Sequence, residues 1–169
     1  ATVCLFGSSK SGKTYSLIHE LAADERLLDP ENIVILLSES AHAPMYAGLP
    51  ARVIRLGYFD NKLIPLLQTI QRRTKNKYRF VIILDDIVDE RDDRGLKKAF
   101  LTLRNSKIST IVLLQSCTLL SKQARLNVNG ALFHSMNNAE AIDQVMTMFL
   151  GSFPPFYGLA RDSQQRLYR

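Results

Sequence analysis

Short apolar segments alternate with segments of helical periodicity from one end of the chain to the other. This alternation predicts an α/β fold with a mostly parallel sheet flanked by helices. Two of the apolar segments carry almost no polar position, which is typical of strands buried on both faces. The predicted strands are Thr2–Phe6, Asn32–Ser38, Arg52–Leu56, Tyr78–Leu84, Ser109–Leu114 and Ala131–His134. The predicted helices are Lys13–Ala23, Asn61–Arg73, Asp92–Leu103 and Asn138–Leu150.

A small terminal β-hairpin is predicted beyond Pro154-Pro155, because Phe156–Ala160 and Arg166–Tyr168 flank a polar turn. No internal repeat or low-complexity tract interrupts the pattern. The chain has 169 residues, of which 46% are apolar, and this size suits one domain with a buried core. We therefore expect residues 1–169 to form a single domain.

Composition excludes several classes of protein. Cys4 and Cys117 belong to no Cys-x-x-Cys or Cys/His pattern, which argues against a zinc finger or disulfide scaffold and fits a reducing compartment. The apolar runs are too short to cross a bilayer, and the start of the chain lacks the pattern of a signal peptide. With 22 basic and 16 acidic residues the formal charge is +6, which is compatible with a polyanionic partner such as nucleic acid or a nucleotide.

The first motif that carries chemistry follows the first predicted strand and opens the first predicted helix. It matches G-x-x-x-x-G-K-[ST] in full, a pattern whose glycines let backbone amides approach phosphates at a helix N-terminus. An ordinary Gly/Ser turn is the alternative. The residues predicted to bind the nucleotide are Gly7, Ser8, Ser9, Lys10, Ser11, Gly12, Lys13 and Thr14.

Three side chains of this loop have separate predicted roles. Lys13, which we expect at the surface of the loop, would reach the β- and γ-phosphates and assist catalysis. The Thr14 hydroxyl would ligate Mg²⁺. Lys10 either contacts phosphate or is a solvated lysine.

The second motif is the doubled carboxylate Asp85-Asp86 at the end of an apolar strand. It matches the second motif of P-loop NTPases, which predicts that Asp85 holds the Mg²⁺ shell at the carboxyl edge of the sheet. Asp86 is then positioned to activate the attacking water as a general base. The alternative for Asp86 is that it only begins the acidic loop that runs to Glu90.

Two predicted strands separate the first motif from Asp85, and this spacing resembles the additional-strand branch of P-loop ATPases. In that branch, an extra strand lies between the two motif strands and ends in a polar sensor. The strand Ser109–Leu114 ends in Gln115, which the resemblance makes a sensor of the γ-phosphate or a residue that positions water. A buried strand that merely ends in a hydrogen-bonded glutamine is the alternative.

Arg104, followed by the strand that ends at Gln115, resembles the signature of FtsK–HerA-type motors, and most closely the poxvirus-type genome-packaging ATPases. Asn127–His134, the helix after it and the closing hairpin are also similar to that family. Two positions depart from the pattern: the wider superfamily commonly has Glu where Asp86 stands, and the family often has His where Asn105 stands.

The resemblance implies Mg²⁺-dependent hydrolysis of ATP coupled to translocation of double-stranded DNA into a capsid. It also implies a homo-oligomeric ring, a capsid or portal-vertex protein as partner, no membrane, and a virion-associated or host-cytoplasmic location. ATP rather than GTP follows from the family, and no N-K-x-D guanine motif is visible. The alternatives are a small P-loop nucleoside or nucleotide kinase and a nucleotide-dependent assembly or regulatory ATPase.

Arg104 precedes a parallel strand, so we expect it at the amino edge of the sheet, far from its own phosphate loop. It would then act in trans as the catalytic arginine of a neighbouring subunit. The alternative is a surface arginine paired with Asp92 or Asp93, in which case Arg125 or Arg161 becomes the better candidate.

Two segments are rich in basic residues: Gln71–Lys77, and the predicted helix that carries Arg94, Lys97 and Lys98. Each either binds along a phosphate backbone or forms a solvated face.

Overall fold

The computed structural model describes residues 1–23, 29–60, 62–86 and 103–150. Its strands are β1 (Thr2–Phe6), β2 (Asn32–Leu37), β3 (Ile54–Leu56), β4 (Arg79–Asp85), β5 (Ile108–Leu114) and β6 (Gly130–Phe133). Its α-helices are α1 (Lys13–Ala23), α2 (Leu63–Arg73), α3 (Lys122–Arg125) and α4 (Ala139–Val145). Short 3₁₀ helices cover Pro44–Tyr46, Leu103–Ser106 and Cys117–Leu119.

The strands form one parallel sheet in the order β3-β2-β4-β5-β1-β6. β1 pairs with β5 on one side, where Thr2 lies opposite Thr110, and with β6 on the other, where Val3 lies opposite Gly130. β5 therefore separates the strand before the phosphate-loop motif from β4, which ends at Asp85. The predicted extra strand between the two motif strands is confirmed.

Alternate residues of the central strands pack into two cores, one on each face of the sheet. On β4, Phe80, Ile82 and Leu84 belong to the core that α2 and α4 cover. Ile83 faces the opposite core, which α1 covers through Leu17. Because both faces are covered, the strands read as continuous apolar runs, as the sequence pattern indicated.

Several strand ends shift by one residue: β2 ends at Leu37, β4 is Arg79–Asp85, β5 begins at Ile108 and β6 is Gly130–Phe133, while α2 begins at Leu63. Three further differences have a structural description. The strand predicted for Arg52–Leu56 begins only at Ile54, because the Val53 amide donates to the Pro50 carbonyl in a turn instead of joining the sheet (3.0 Å). The predicted helix Asn138–Leu150 is α-helical only over Ala139–Val145 and continues as a π-helical turn over Met146–Leu150. The segment predicted as a loop at residues 42–50 contains the 3₁₀ helix Pro44–Tyr46.

Some predictions lie outside the described residues. They are the helix up to residue 102, the terminal hairpin beyond residue 150, and the carboxylates Glu90, Asp92 and Asp93. Within the described ranges, no helix is both long enough and apolar enough to span a bilayer.

Candidate functional site

The loop after β1 is held by the ends of both neighbouring strands. The Gly7 amide donates to the Leu114 carbonyl at the end of β5 (3.2 Å). The Ser8 amide donates to the Ser135 carbonyl after β6 (3.1 Å), and the Asn137 amide donates to the Ser8 hydroxyl (2.9 Å). The loop is thus fixed to the carboxyl edge of the sheet, where ligands of open α/β sheets bind.

The two glycines of the motif are required for different reasons. A Cβ at Gly7 would lie 2.7 Å from the His134 Cβ and 2.6 Å from the Ser11 hydroxyl, so any side chain there would displace the loop from β6. Gly12 has open space around it but adopts φ +90°, a conformation that residues with a Cβ rarely adopt. Lys10 also has a positive φ, of 61°, and its side chain is exposed.

Lys13 is buried, with 7% of its surface exposed, so the expectation that it lies at the surface of the loop is wrong. Its ammonium donates to the carbonyls of Gly7 (2.7 Å) and Ser8 (2.9 Å). The loop closes around the lysine, whose ammonium satisfies two of the loop's backbone carbonyls. Burial lowers the pKa of Lys13, and the negative charges of Asp86 and Asp85 oppose that shift.

Ser11 supplies a further sign of an anion site. Its hydroxyl is buried and has no hydrogen-bond partner among the described residues. It lies in the loop that leads directly into the N-terminus of α1, where free backbone amides and the helix dipole favour an anion. A phosphate oxygen would satisfy the hydroxyl that the protein itself leaves unpaired.

Asp85 joins the loop to the other motif strand. It ends β4, only 4% of its surface is exposed, and its Oδ2 accepts a hydrogen bond from the Thr14 hydroxyl (2.9 Å). A hydroxyl and a carboxylate oxygen in contact are hard ligands of the kind that Mg²⁺ prefers. Within the described part of the chain no cluster of three or more metal-ligating side chains occurs, but Mg²⁺ commonly needs only one or two protein ligands besides water and phosphate.

Tyr46 is the residue of the site that the sequence did not reveal. Its hydroxyl donates to Asp85 Oδ2 at 2.7 Å and lies 3.2 Å from the Ser38 hydroxyl, which follows β2. Arg55 of β3 fixes the Tyr46 backbone by donating to its carbonyl (3.1 Å). Because β2 neighbours β4, the loop that follows β2 brings Tyr46 against Asp85. The sheet order is the signal that could have found it.

The ionisation of Asp85 depends on opposing effects. Burial raises its pKa, while the hydrogen bonds from Tyr46 and Thr14 lower it. The charge of Asp86 raises it further and that of Lys13 lowers it, and the net shift is upward. Burial is also the main cause that raises the pKa of Tyr46 to about 12, so this hydroxyl remains a donor. Burial therefore destabilises the ionised form of Asp85, and a bound cation would offset that destabilisation.

Asp86 and Gln115 meet at the same edge. The Gln115 amide donates to Asp86 Oδ1 (3.2 Å), which brings together two residues that the sequence placed on separate strands. Asp86 adopts φ 54°, so the chain turns sharply at the end of β4 and the carboxylate is exposed to solvent. Both side chains line a cleft of about 310 Å³ together with residues 9–15, Met45 and Asp85.

Comparisons with known proteins come from structure alone. The sequence matches no protein-family model and no curated protein sequence. The fold is that of the P-loop NTPases. The genome packaging NTPase B204 from Sulfolobus turreted icosahedral virus 2, in complex with ATP-gammaS, superposes with a TM-score of 0.64 at 14% identity, over 92% of this chain and 85% of that one. B204, the DNA-packaging ATPase from Sulfolobus turreted icosahedral virus, gives 0.67 at 12% identity, over 88% and 82%.

The cytoplasmic domain of EssC is also similar, with a TM-score of 0.64 at 15% identity. The match covers 86% of this chain, which spans only 33% of the EssC chain. At such identities the likeness establishes the P-loop NTPase fold.

The backbone of Arg104, the arginine proposed as catalytic in trans, lies away from this cleft. The backbone of Arg104 belongs to the 3₁₀ helix that precedes β5, so it lies at the amino edge of the sheet, opposite Gln115, as expected. Arg125 donates to the carbonyls of Leu120 and Cys117 and so stabilises its own turn. Arg161 lies outside the described residues.

Proposed function

We propose that this chain is a Mg²⁺-dependent ATP hydrolase that moves double-stranded DNA, as the genome-packaging ATPases of viruses do. The observation that carries the proposal is the convergence of Lys13, Thr14, Asp85, Asp86 and Gln115 on one cleft at the carboxyl edge of the sheet. These are the groups that phosphoryl transfer needs, because its catalysis consists mainly of positioning and charge stabilisation.

Phosphate binding falls to the loop. Its amides would bind the triphosphate, and Lys13 would exchange its bonds to the Gly7 and Ser8 carbonyls for bonds to the β- and γ-phosphates. The unpaired Ser11 hydroxyl is buried in the same loop, beside Gly7. Lys10, exposed on the same loop, adds positive charge at the mouth of the cleft.

Thr14 and Asp85 are the residues that would hold Mg²⁺, directly and through its water shell. When bound, the ion neutralises charge on the phosphates. Tyr46 holds the Asp85 carboxylate in place from the other side. The Thr14 hydroxyl donates to Asp85 in this structure, and its oxygen would be a ligand of the ion.

Asp86 is the proposed general base. Gln115 occupies Oδ1 of its carboxylate, which leaves Oδ2 to accept a proton from the attacking water. Gln115 is also the proposed sensor, because a γ-phosphate near its amide would compete with Asp86 for the same donor. A bound γ-phosphate would thereby draw the Gln115 amide away from Asp86 and release the Asp86 carboxylate to accept a proton.

The DNA-moving part of the proposal draws support from the structural neighbours. Two of them are described as a genome packaging NTPase and a DNA-packaging ATPase, and one of these was crystallised with ATP-gammaS. We propose the same partners here: double-stranded DNA, further copies of the chain in a ring, and a capsid or portal-vertex protein. The proposed location is the virion or the host cytoplasm, and no membrane partner is proposed.

The test is the rate of ATP hydrolysis with and without double-stranded DNA, together with the solution mass. We expect Mg²⁺-dependent hydrolysis, stimulation by duplex DNA and a mass that corresponds to several subunits. Hydrolysis that depends on a nucleoside or nucleotide acceptor and ignores DNA would instead support the kinase. A DNA-independent ATPase would support the assembly or regulatory enzyme.

A further inference from the structure

Six exposed basic side chains gather at the amino edge of the sheet, opposite the nucleotide cleft. They come from the end of α2, the turn after it, the start of β4 and the start of β5. We call this surface the basic edge; its residues are Arg72, Arg73, Lys75, Lys77, Arg79 and Lys107. None of the six forms an ion pair with another residue of the described ranges.

The backbone of the basic edge adopts a costly conformation at two of its lysines. Lys75 has φ 52° and Lys107 has φ 51°, in the left-handed region where glycine or asparagine is normal. Asn76, between Lys75 and Lys77, has φ 57° and is an ordinary occupant of that region. Both lysine side chains are exposed, so the two turns place positive charge at the surface.

A buried glutamine fixes the two turns relative to each other. Gln71 is 1% exposed, and its side-chain amide donates to the carbonyls of Tyr78 (2.7 Å) and Ser106 (2.8 Å). The Lys107 ammonium donates to the Asn76 carbonyl (3.4 Å), which links the same two turns at the surface. The cations are therefore presented by a rigid support rather than by independent loops.

The chemistry of the surface indicates what it binds. None of the exposed large apolar side chains of the described residues lies in the basic edge, so it lacks the apolar anchor that protein interfaces use. It also lacks an exposed aromatic platform of the kind that stacks single-stranded bases; the ring of Tyr78 is half-buried with the Lys77 ammonium 5.8 Å from its centre. Asp29 and Glu31 lie near the start of β2. These two carboxylates do not balance the six cations, so the edge keeps an excess of positive charge.

We propose that the basic edge binds the phosphate backbone of double-stranded DNA. The inference rests on the proposed function, in which DNA is the partner, and it assigns the contact to named residues. β4 spans seven residues, so the DNA surface lies ~20 Å from the nucleotide cleft, across the length of the sheet. DNA and ATP then occupy opposite edges of the same sheet.

The decisive variant is Lys75→Gln/Lys77→Gln in the full chain, with Lys62→Gln/Lys122→Gln as a matched control. Both pairs are exposed and both variants remove the same charge, but Lys62 and Lys122 precede or begin helices away from the basic edge. Binding to a 30-base-pair duplex is measured at several salt concentrations. We expect the basic-edge variant to lose roughly 10-fold or more in affinity and its salt slope to fall by about 2, close to one unit for each lost phosphate contact, while the control keeps both.

Hydrolysis separates this inference from the proposed function. We expect the basic-edge variant to keep its ATPase rate without DNA and to lose the stimulation by duplex DNA. A wild-type chain that binds duplex through the basic edge but hydrolyses no ATP would leave the inference standing and overturn the proposed function. Duplex affinity unchanged in the variant, an equal loss in the control, or equally strong competition by poly-L-glutamate at matched charge would each overturn the inference.

Discussion

The Tyr46 hydroxyl donates a 2.7 Å hydrogen bond to Asp85 Oδ2, the same oxygen that accepts from Thr14. One carboxylate oxygen is thus occupied by two hydroxyl donors, from the loop after β2 and from α1. Among the described residues, no donor is bonded to the other oxygen of Asp85, which would be available to the water shell of a bound metal. Asp85 is the point at which three separate segments of the chain meet.

Tyr46→Phe is expected to weaken the response to Mg²⁺ without removing nucleotide binding. The variant keeps the ring but loses a hydrogen bond to a charged group, which costs about 1.5–3 kcal/mol. Since that bond lowers the pKa of Asp85, its loss raises the pKa further, so the acidic limb of activity moves to higher pH and half-saturation requires several-fold more Mg²⁺. The measurement is a Mg²⁺ titration of hydrolysis across pH. A pH profile identical to that of the wild type would contradict the positioning role of Tyr46.

Lys13→Ala is expected to abolish nucleotide binding and also to destabilise the fold. The Gly7 and Ser8 carbonyls lose their shared donor, and a buried acceptor left unsatisfied, as that of Gly7 would be, costs about 1–3 kcal/mol. Fluorescent ATP-analogue binding and thermal unfolding report the two effects. Lys10→Ala is the control, because that side chain is exposed on the same loop. Normal turnover in Lys13→Ala would remove the loop from the mechanism.

Asp86→Asn is expected to bind Mg·ATP normally and to slow hydrolysis by roughly 10²-fold or more, as loss of a general base does. Asparagine tolerates the positive φ of this position, so the fold should be unaffected. Single-turnover hydrolysis, paired with equilibrium binding, separates the two steps. Hydrolysis at the wild-type rate would direct the search for the base to Glu90.

Asp85→Asn is expected to stabilise the metal-free protein at neutral pH. Because the net pKa shift of Asp85 is upward, the native state binds the proton more tightly than the unfolded chain, and stability falls as pH rises from about 4 through the folded pKa. Above the folded pKa the wild type has lost all the stability that ionisation of the buried Asp85 removes, whereas asparagine does not ionise and the variant loses none of it. Thermal unfolding in EDTA should show a gap between the two at pH 7 that closes towards pH 4. Added Mg·ATP should raise the melting temperature of the wild type only.

We propose that Arg104 acts in trans, so two inactive variants should complement each other. Mixing Lys13→Ala with Arg104→Ala subunits creates interfaces that pair an intact loop with an intact arginine, and DNA-stimulated hydrolysis should reappear. A neighbour's arginine can contribute ~10³-fold or more to the rate. Full activity of Arg104→Ala alone would shift the assignment to Arg161, or to Arg125 if it can leave the carbonyls it now binds.

The sequence predicted the elements of this fold well where the signal is local. The bounds of β1 and α1 are as predicted, because an apolar run, a glycine-rich loop and Leu17-to-Leu21 spacing are contained in adjacent residues. The contact between Tyr46 and Asp85 could not be predicted, since it depends on which strands are neighbours. The burial of Lys13 was missed for a similar reason: only the folded loop shows that its carbonyls turn inward.

The position of β1 between β5 and β6 sets the order in which the site can assemble during synthesis. β1 is synthesised first of the six strands, yet its two partner strands begin only at residues 108 and 130. The Ser8 amide cannot form its hydrogen bond until Ser135 has been synthesised. Synthesis proceeds at ~5–20 residues per second, so several seconds or more pass between synthesis of the motif and synthesis of the strands that hold its loop in place. We therefore expect ATP to bind and stabilise the chain only once β6 has joined the sheet, so a fragment that stops before β6 should carry the whole phosphate-loop motif and bind no nucleotide.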